Sequence, residues 1–203
     1  EFKTFAEIFI YKTSFLLKRI GINLNTVPVL DLRYKNSSNI IGDRSFGSNP
    51  IKVTKIGNLF IKLFTMNKIG TIIKHIPGHG LAKVDSHLST PTIKKNLNFL
   101  FKNDFKPFKN NNCLFAMTSH IIFKNIDPKN TVTHSKKIIS LIRKKLKFKN
   151  IIITDDISMK SLKFSISENT KKSFQAGCNL VLHCNGNMKE MIKVAENSPH
   201  INK

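Results

Sequence analysis

A loop rich in ionisable side chains is the part of this sequence best suited to chemistry. It reads KHIPGHGLAKVDSHLSTP over residues 74–91 and holds three histidines and one carboxylate. Asp85 precedes His87 by two residues, so its carboxylate can hydrogen-bond the ring, fix the tautomer and raise the basicity. An imidazole that titrates near neutrality can donate and accept protons. The spacing predicts a general acid/base at His87; the alternative is a loop histidine hydrogen-bonded only for shape.

A second ionisable group, ITDD at residues 153–156, stands where an apolar run ends. Asp155 directly follows the run and is expected to point towards the open end of a sheet, where it would take part in chemistry. Asp156 is expected to have a structural role. The alternative for this pair is helix capping, because a helix could begin near Ser158.

Five short apolar runs, at residues 22–30, 71–75, 114–119, 151–155 and 180–184, are the predicted strands. Near-continuous apolar runs are typical of parallel strands that are buried on both faces. Helix signals separate the runs. A first helix ends at Gly21, and a cap followed by proline, Ser48-Asn49-Pro50, opens a helix predicted to run to about residue 67. Others are predicted over 93–105, 133–147 and 168–176, the last capped by Ser167.

Repeated strand–helix order predicts right-handed crossovers and a parallel sheet. Polar residues at the strand ends indicate a (β/α)₈ TIM-type barrel, of which about five βα units are present. A complete barrel takes roughly 250 residues. The sequence therefore predicts one catalytic domain over residues 1–203, truncated at its N-terminus and slightly at its C-terminus, and prone to aggregation or inactivity in this form.

Charge and composition restrict the classes of partner. The formal net charge is +22, yet only four of the 34 basic residues are arginine. No nucleic-acid module is apparent, so a nucleic-acid partner is not expected. No apolar stretch reaches the roughly 18 residues of a membrane span. The three cysteines, Cys113, Cys178 and Cys184, are predicted to be buried free thiols in a reducing compartment, which indicates a cytoplasmic protein.

The motifs KHIPGHG, DSH and ITDDISM resemble the signature loops of bacterial β-N-acetylglucosaminidases of glycoside hydrolase family 3, which recycle peptidoglycan fragments. The resemblance extends to NTVPVLDL at 25–32, GDRSFG at 42–47, TSH at 118–120 and AGCNLVLHCN at 176–185. It implies a monomeric enzyme without a cofactor that removes terminal non-reducing β-N-acetylglucosamine from GlcNAc-anhydro-MurNAc peptides.

The resemblance also implies the roles of individual residues. Asp155 would be the nucleophile of a retaining mechanism, and His87, oriented by Asp85, would be its acid/base. The positions that match the family's sugar-binding residues are Arg44, Lys74 and His75. Supporting roles are expected for Asp31, which would brace its neighbours, for His79, which would shape the loop, and for His120 near the site. His183 is expected to be a scaffold residue.

Two other functions remain open. The family's Asp-Gln-Glu-Gly-Gly-type motif, which supplies further substrate-binding residues, has no counterpart here. The chain could therefore be an inactive sugar-binding fragment. It could also be a metal-dependent barrel hydrolase with His75, His79, Asp85 and His87 as ligands, although no HxH pair ends a strand; the prediction made here is that no metal is bound.

Overall fold

The computed structural model describes residues 1–35, 37–86 and 89–200. Helices and strands alternate along these residues. Their bounds are α1 (Phe2–Arg19), β1 (Leu24–Asn25), α2 (Pro50–Met66), β2 (Gly70–Ile76), β3 (Thr92–Ile93), α3 (Leu97–Lys102), β4 (Phe115–Thr118), β5 (Ile122–Phe123), α4 (Lys136–Lys144), β6 (Ile151–Asp156), α5 (Ile166–Ala176), β7 (Leu180–Leu182) and α6 (Met188–Glu196). Short 3₁₀ helices cover Gly42–Arg44, Lys106–Phe108 and Val132–His134.

A five-stranded sheet organises the molecule. Its order is β1, β2, β4, β6, β7, and every neighbouring pair is parallel. Strands β3 and β5 form a separate parallel pair. Because parallel strands end at the same edge of a sheet, the residues that follow β1, β2, β4 and β6 are brought to one side. The predicted parallel α/β organisation is confirmed, whereas an eight-unit barrel stays a prediction.

The centre of the sheet is the most deeply buried part of the molecule. Ile73 of β2, Ala116 of β4 and Ile152 of β6 are fully buried in the main apolar core. Four fully buried phenylalanines join that core: Phe105, Phe108, Phe123 and Phe148. Burying a side chain of this size stabilises the fold by about 1.5–3 kcal/mol. The central strands therefore give a rigid support for the loops at their carboxyl ends.

Local sequence signals define the helix ends. The Asn49 side chain accepts hydrogen bonds from the N–H groups of Ile51 and Lys52, and Pro50 occupies the first position of α2, as predicted. Gly177 closes α5 with a φ of 108°, a conformation that glycine adopts at little cost. Within the described ranges, none of the helices combines the length and apolarity needed to cross a bilayer.

The predicted helix over 93–105 is wrong at both ends. Ile93 belongs to β3, which pairs with β5, and α3 covers only Leu97–Lys102. The helix begins late because the Asn96 side chain accepts from the N–H of Phe99 and so acts as its N-cap. Pro107, which has no N–H to donate, lies in the 3₁₀ helix Lys106–Phe108 that follows.

Other bounds and one burial prediction are also corrected. The predicted strand 22–30 is reduced to two residues, with an isolated bridge from Val29 to β2, because Pro28 cannot donate to a ladder. The helix predicted over 133–147 is α4, which is shorter at both ends and covers Lys136–Lys144. Ser165, rather than Ser167, caps α5. Cys113 and Cys178 are buried, but Cys184 is exposed because it follows the edge strand β7.

Candidate active site

A buried carboxylate in the segment that follows β1, that of Asp31, holds the loop that follows β2. Asp31 is fully buried, and its Oδ2 lies 2.7 Å from Nδ1 of His75. Its two oxygens also accept from the backbone N–H of His75 at 3.1–3.2 Å and of His79 at 2.7 Å. Burial alone would raise the pKa of Asp31, but the charge and hydrogen bond of His75, together with His79, hold it below the ordinary value. Asp31 is therefore ionised and fixes the backbone of the loop.

The ring of His75 is oriented by that carboxylate. Because Nδ1 faces Asp31, the other ring nitrogen, Nε2, is left to face Asp155, and it lies 3.8 Å from Oδ2 of that residue. A carboxylate on Nδ1 fixes the tautomer and direction of an imidazole. The His75 ring thus lies between Asp31 and Asp155, at the carboxyl ends of the strands.

Asp155 is partly buried at the end of β6. Its Oδ1 accepts from the backbone N–H of Asp156 at 2.9 Å. Burial would raise the pKa of Asp155, but the charges of His75 and His120, the bond from Asp156 and the charge of Lys74 together lower it. An ionised carboxylate with an open side is the state that a nucleophile requires.

Asp156 has a different set of contacts, in the turn that follows β6 and in the segment that follows β7. Its Oδ1 accepts from the N–H and hydroxyl of Ser158 at 3.0 and 2.8 Å, and from the N–H of Cys184 at 3.2 Å. Consecutive aspartates therefore face different surroundings. Asp155 faces the histidines, and Asp156 ties the turn after β6 to the residues after β7.

Two basic side chains lie near Asp155. The ammonium of Lys74 donates to Oγ1 of Thr26 at 3.1 Å. Burial and the positive charge of Arg44 lower the pKa of Lys74, while the charges of Asp155 and Asp31 act in the opposite direction. Arg44 is exposed at the end of a 3₁₀ helix and donates to the Ile40 carbonyl oxygen at 2.6 Å. The structure therefore brings Arg44, Lys74, His75 and Asp155 to the same side of the sheet.

Two further histidines are buried and engaged by protein groups. Nε2 of His79 lies 3.2 Å from Oγ of Ser86, and burial followed by the charge of His75 lowers the pKa of His79 to about 4. His120 donates from Nε2 to the carbonyl oxygen of Asp156 at 2.9 Å, with Nδ1 at 2.7 Å from Oγ1 of Thr133. Burial also lowers the pKa of His120. Burial disfavours the charged form of both rings, and both rings support the neighbouring backbone.

The predicted acid/base pair is only partly described. His87 lies outside the described residues. Asp85 is half-buried, and its carbonyl oxygen accepts from the N–H of Ser89 at 3.0 Å. Ser86 is buried against His79 through its hydroxyl. The segment that leads to His87 is therefore anchored to the residues held by Asp31.

The metal-dependent alternative gains nothing from this geometry. Across residues 1–35, 37–86 and 89–200, no group of three or more His, Cys, Asp or Glu side chains is arranged to hold a metal ion.

Outside the site, His183 pairs with Glu190 at 2.8 Å, as a scaffold residue would.

Sequence reasoning missed several supporting groups. Thr133 contacts both His120 and Thr118, and Tyr34 donates to Asp104 beneath the loop after β2. None of these three pairs has a local sequence signal, because the partners are separated by 13 to 70 residues. The site as a whole is a cluster of carboxylate and imidazole groups at the carboxyl ends of parallel strands, which is where parallel α/β folds commonly carry active sites.

The chain belongs to glycosyl hydrolase family 3, since the model of that family's N-terminal domain matches residues 12–202. Its fold is accordingly the parallel-sheet half-barrel of that domain. The resemblance to bacterial β-N-acetylhexosaminidases is also confirmed. A "Beta-hexosaminidase" of Haemophilus influenzae is 33% identical over 192 residues, which are 89% of this chain and 54% of that protein.

Two other comparisons agree with this assignment. A "Beta-hexosaminidase" of Glaesserella parasuis is 36% identical over 82% of this chain and 50% of that protein. The crystal structure of native NagZ from Neisseria gonorrhoeae superposes with a TM-score of 0.87 at 29% identity, covering 99% of this chain and 59% of that one. The chain thus spans about half the length of the curated relatives it matches.

Proposed function

We propose that this chain carries the reacting groups of a retaining β-N-acetylhexosaminidase. The observation that carries the proposal is the ionised Asp155 at the end of β6, facing a His75 ring that Asp31 orients. An ionised carboxylate beside oriented hydrogen-bond donors suits attack on a sugar's anomeric carbon.

The proposed reaction has two displacements. In the first, an oxygen of Asp155 forms a bond to the anomeric carbon while the bond to the leaving group breaks, and His87 transfers its proton to the departing oxygen. In the second, His87 takes a proton from water, the water oxygen bonds to the anomeric carbon, and the ester to Asp155 breaks. Asp85 orients His87 and stabilises its charged form. Two inversions give overall retention of configuration.

The basic groups around Asp155 would hold the sugar. Arg44, Lys74 and His75 are placed to donate to its hydroxyl groups, and the lowered pKa of Lys74 reflects burial beside Arg44. Asp31 and His79 act on the sugar only through the loop that they fix. His120 fixes the backbone next to Asp155.

The proposed substrate is a peptidoglycan fragment that ends in β-N-acetylglucosamine, such as a GlcNAc-anhydro-MurNAc peptide. Recycling of such fragments places the enzyme in the cytoplasm. The relatives' names support a hexosaminide substrate, and the complete catalytic domain is proposed to be a (β/α)₈ barrel.

Hydrolysis of a chromogenic N-acetyl-β-glucosaminide tests this proposal. Asp155→Asn should reduce kcat by at least about 10³-fold, because an amide cannot form the covalent ester. Asp43→Asn is the matched control, since Asp43 is an exposed aspartate near Arg44 in sequence, and it should keep most of the rate. An Asp155→Asn variant that retains the wild-type rate would contradict the proposal.

A further inference from the structure

The turn at residues 77–80, which follows His75, is enclosed on two sides. On one side, Gly80 packs so closely on the Leu32 carbonyl oxygen that a side chain there would clash with it. On the other side, Gly78 has a φ of 147°, and a Cβ at this position would lie 2.9 Å from Cβ and 3.0 Å from the carbonyl oxygen of Asp104. The turn is therefore held between the segment after β1 and the residue Asp104.

Asp104 is linked back to the segment after β1. It is almost completely buried, and its Oδ2 accepts from the hydroxyl of Tyr34 at 2.8 Å. Tyr34 lies two residues beyond Leu32 and three beyond Asp31. The hydrogen bond therefore closes a ring of contacts: Tyr34 to Asp104, Asp104 to Gly78, and Gly80 back to Leu32.

We propose that Tyr34 and Asp104 form a buried positioning pair that holds the 77–80 turn, and through it His75 and His79, in the arrangement that Asp31 requires. Neither residue reaches the reacting atoms, so both act through the loop backbone. The idea rests on the proposed function only for its effect on turnover. Its effect on the loop itself can be measured independently.

Electrostatics give the pair a distinct signature. Burial raises the pKa of Asp104 to about 7, opposed by the Tyr34 hydrogen bond and reinforced by the charge of Asp31. Burial and Asp104 in turn raise the pKa of Tyr34. The titratable groups around Asp104 are Tyr34 and Asp31 from the segment after β1, with His79 next to Gly78 on the turn. Exposed Lys102 and Lys106 flank Asp104 in sequence.

The small number of aromatic fluorophores in the chain allows the titration of Asp104 to be followed by tyrosine fluorescence. The protein has two tyrosines, Tyr11 and Tyr34, and no tryptophan. In a Tyr11→Phe background, all tyrosine fluorescence comes from Tyr34. An ionised carboxylate that accepts a phenol's hydrogen bond quenches its emission. The emission should therefore fall with a midpoint near the pKa of Asp104, about 7, and the transition should vanish in Asp104→Asn.

Hydrogen exchange measures the positioning role directly. Tyr34→Phe removes the donor to Asp104, and exchange of the amides at 76–82 should then speed up by about tenfold, as expected for loss of a hydrogen bond to a charged or buried acceptor. Tyr11→Phe is the matched control, because Tyr11 is exposed on α1, and it should leave this segment's exchange unaltered. Asp104→Asn, in a chain that keeps Tyr34, retains an acceptor for the hydroxyl and should retain most of the protection.

Turnover gives the last readout. Tyr34→Phe should lower kcat/KM for a chromogenic N-acetylglucosaminide by about tenfold relative to Tyr11→Phe, the equivalent of one such bond. The inference is overturned if Tyr34 emission shows no transition between pH 5 and 9, or if Tyr34→Phe and Tyr11→Phe exchange equally at 76–82. If the wild type and both tyrosine variants leave the substrate intact, hydrogen exchange alone decides the role of the pair, independently of the proposed function.

Discussion

At the scale of single residues, side chains of the same type differ in ionisation because their surroundings differ. Asp31 and Asp104 are both buried aspartates, yet Asp31 pairs with the ring of His75, whereas Asp104 accepts from the hydroxyl of Tyr34. The pKa is consequently lowered for Asp31 and raised to about 7 for Asp104. Charge, rather than burial alone, decides which carboxyl group is ionised at neutral pH.

His87 has the most specific predicted kinetic effect. If it protonates the leaving group, His87→Ala should slow hydrolysis of unactivated N-acetylglucosaminides by about 10²–10⁴-fold. Glycosides with a strongly acidic leaving phenol need little protonation, so their first step should be much less affected. Steady-state and burst kinetics on both substrates measure the difference, with His200→Ala as an exposed control. Equal losses on both substrates would exclude the role as acid.

The low pKa of His79 predicts a pH-dependent contribution to stability. The ring stays neutral in the folded protein down to about pH 4, whereas the ordinary histidine pKa of 6.5 applies to the unfolded chain. Its contribution is therefore complete above pH 6.5 and is lost as pH falls towards 4, which corresponds to about 3 kcal/mol. The raised pKa of Asp104 acts in the opposite direction over the same interval, so the wild-type curve alone does not isolate His79.

Comparison of variants separates these contributions. Denaturant unfolding of wild type and His79→Gln at pH 7 and 4.5 should show the wild type losing stability relative to the variant as pH falls. His200→Gln should show no such change relative to wild type, since His200 is exposed in the folded chain as well. A constant difference between wild type and His79→Gln at both pH values would show that His79 is not held neutral.

At the scale of secondary-structure elements, α2 positions the segment that follows β1 by close contact. A Cβ at Gly57 would clash with Cδ2 of Leu30, a fully buried residue next to Asp31. Gly57→Ala should gain up to about 1 kcal/mol in helix propensity. Overpacking should cost about 1–3 kcal/mol and move Leu30, so the net effect is destabilising with reduced kcat. Lys55→Ala, on the exposed face of α2, is the matched control; if Gly57→Ala unfolds no more easily than this control, the contact is not tight.

The sequence predicts elements well where the signal is local. Apolar runs located β2, β4 and β6, and Asn49-Pro50 located the start of α2. It fails where a distant partner decides the structure. The short β3 strand forms only because β5, thirty residues later in register, pairs with it, so a helix was expected in its place.

The candidate site shows the same division between local and distant signals. The motifs in 74–91 and 153–156 point to His75, Asp85 and Asp155 because chemically active residue types are dense there. The pairing of Asp31 with His75 spans 44 positions and could be approached only through the resemblance to a family. Tyr34 and Asp104, 70 positions apart, carry no signal in a single sequence.

At the scale of the whole molecule, α1 presents an apolar surface. Phe5, Ile8 and Phe9 are 67, 64 and 49% exposed. Surfaces of this kind favour association, while the net charge of +22 opposes it. The family resemblance predicts a monomer, but the apolar surface of α1 should cause self-association, and more strongly at high salt, where repulsion is screened.

Light scattering at low and high salt tests this expectation. The double variant Phe5→Glu, Ile8→Glu should remain smaller than the wild type at every salt concentration. Thr4→Glu adds a charge to the same helix without removing an apolar side chain, and it should behave nearly as the wild type. If the wild type is monomeric at high salt, the apolar surface of α1 does not drive association.

The central claim is that Asp155 forms a covalent bond to the sugar, and a trapped intermediate tests it most directly. A fluorinated N-acetylglucosaminide with a good leaving group, which slows the second displacement, should label the chain once. Mass spectrometry of the digested protein should place the added sugar on Asp155, and Asp155→Asn should take up no label. A label on a different residue, or hydrolysis that proceeds with inversion and without any labelled chain, would contradict the account.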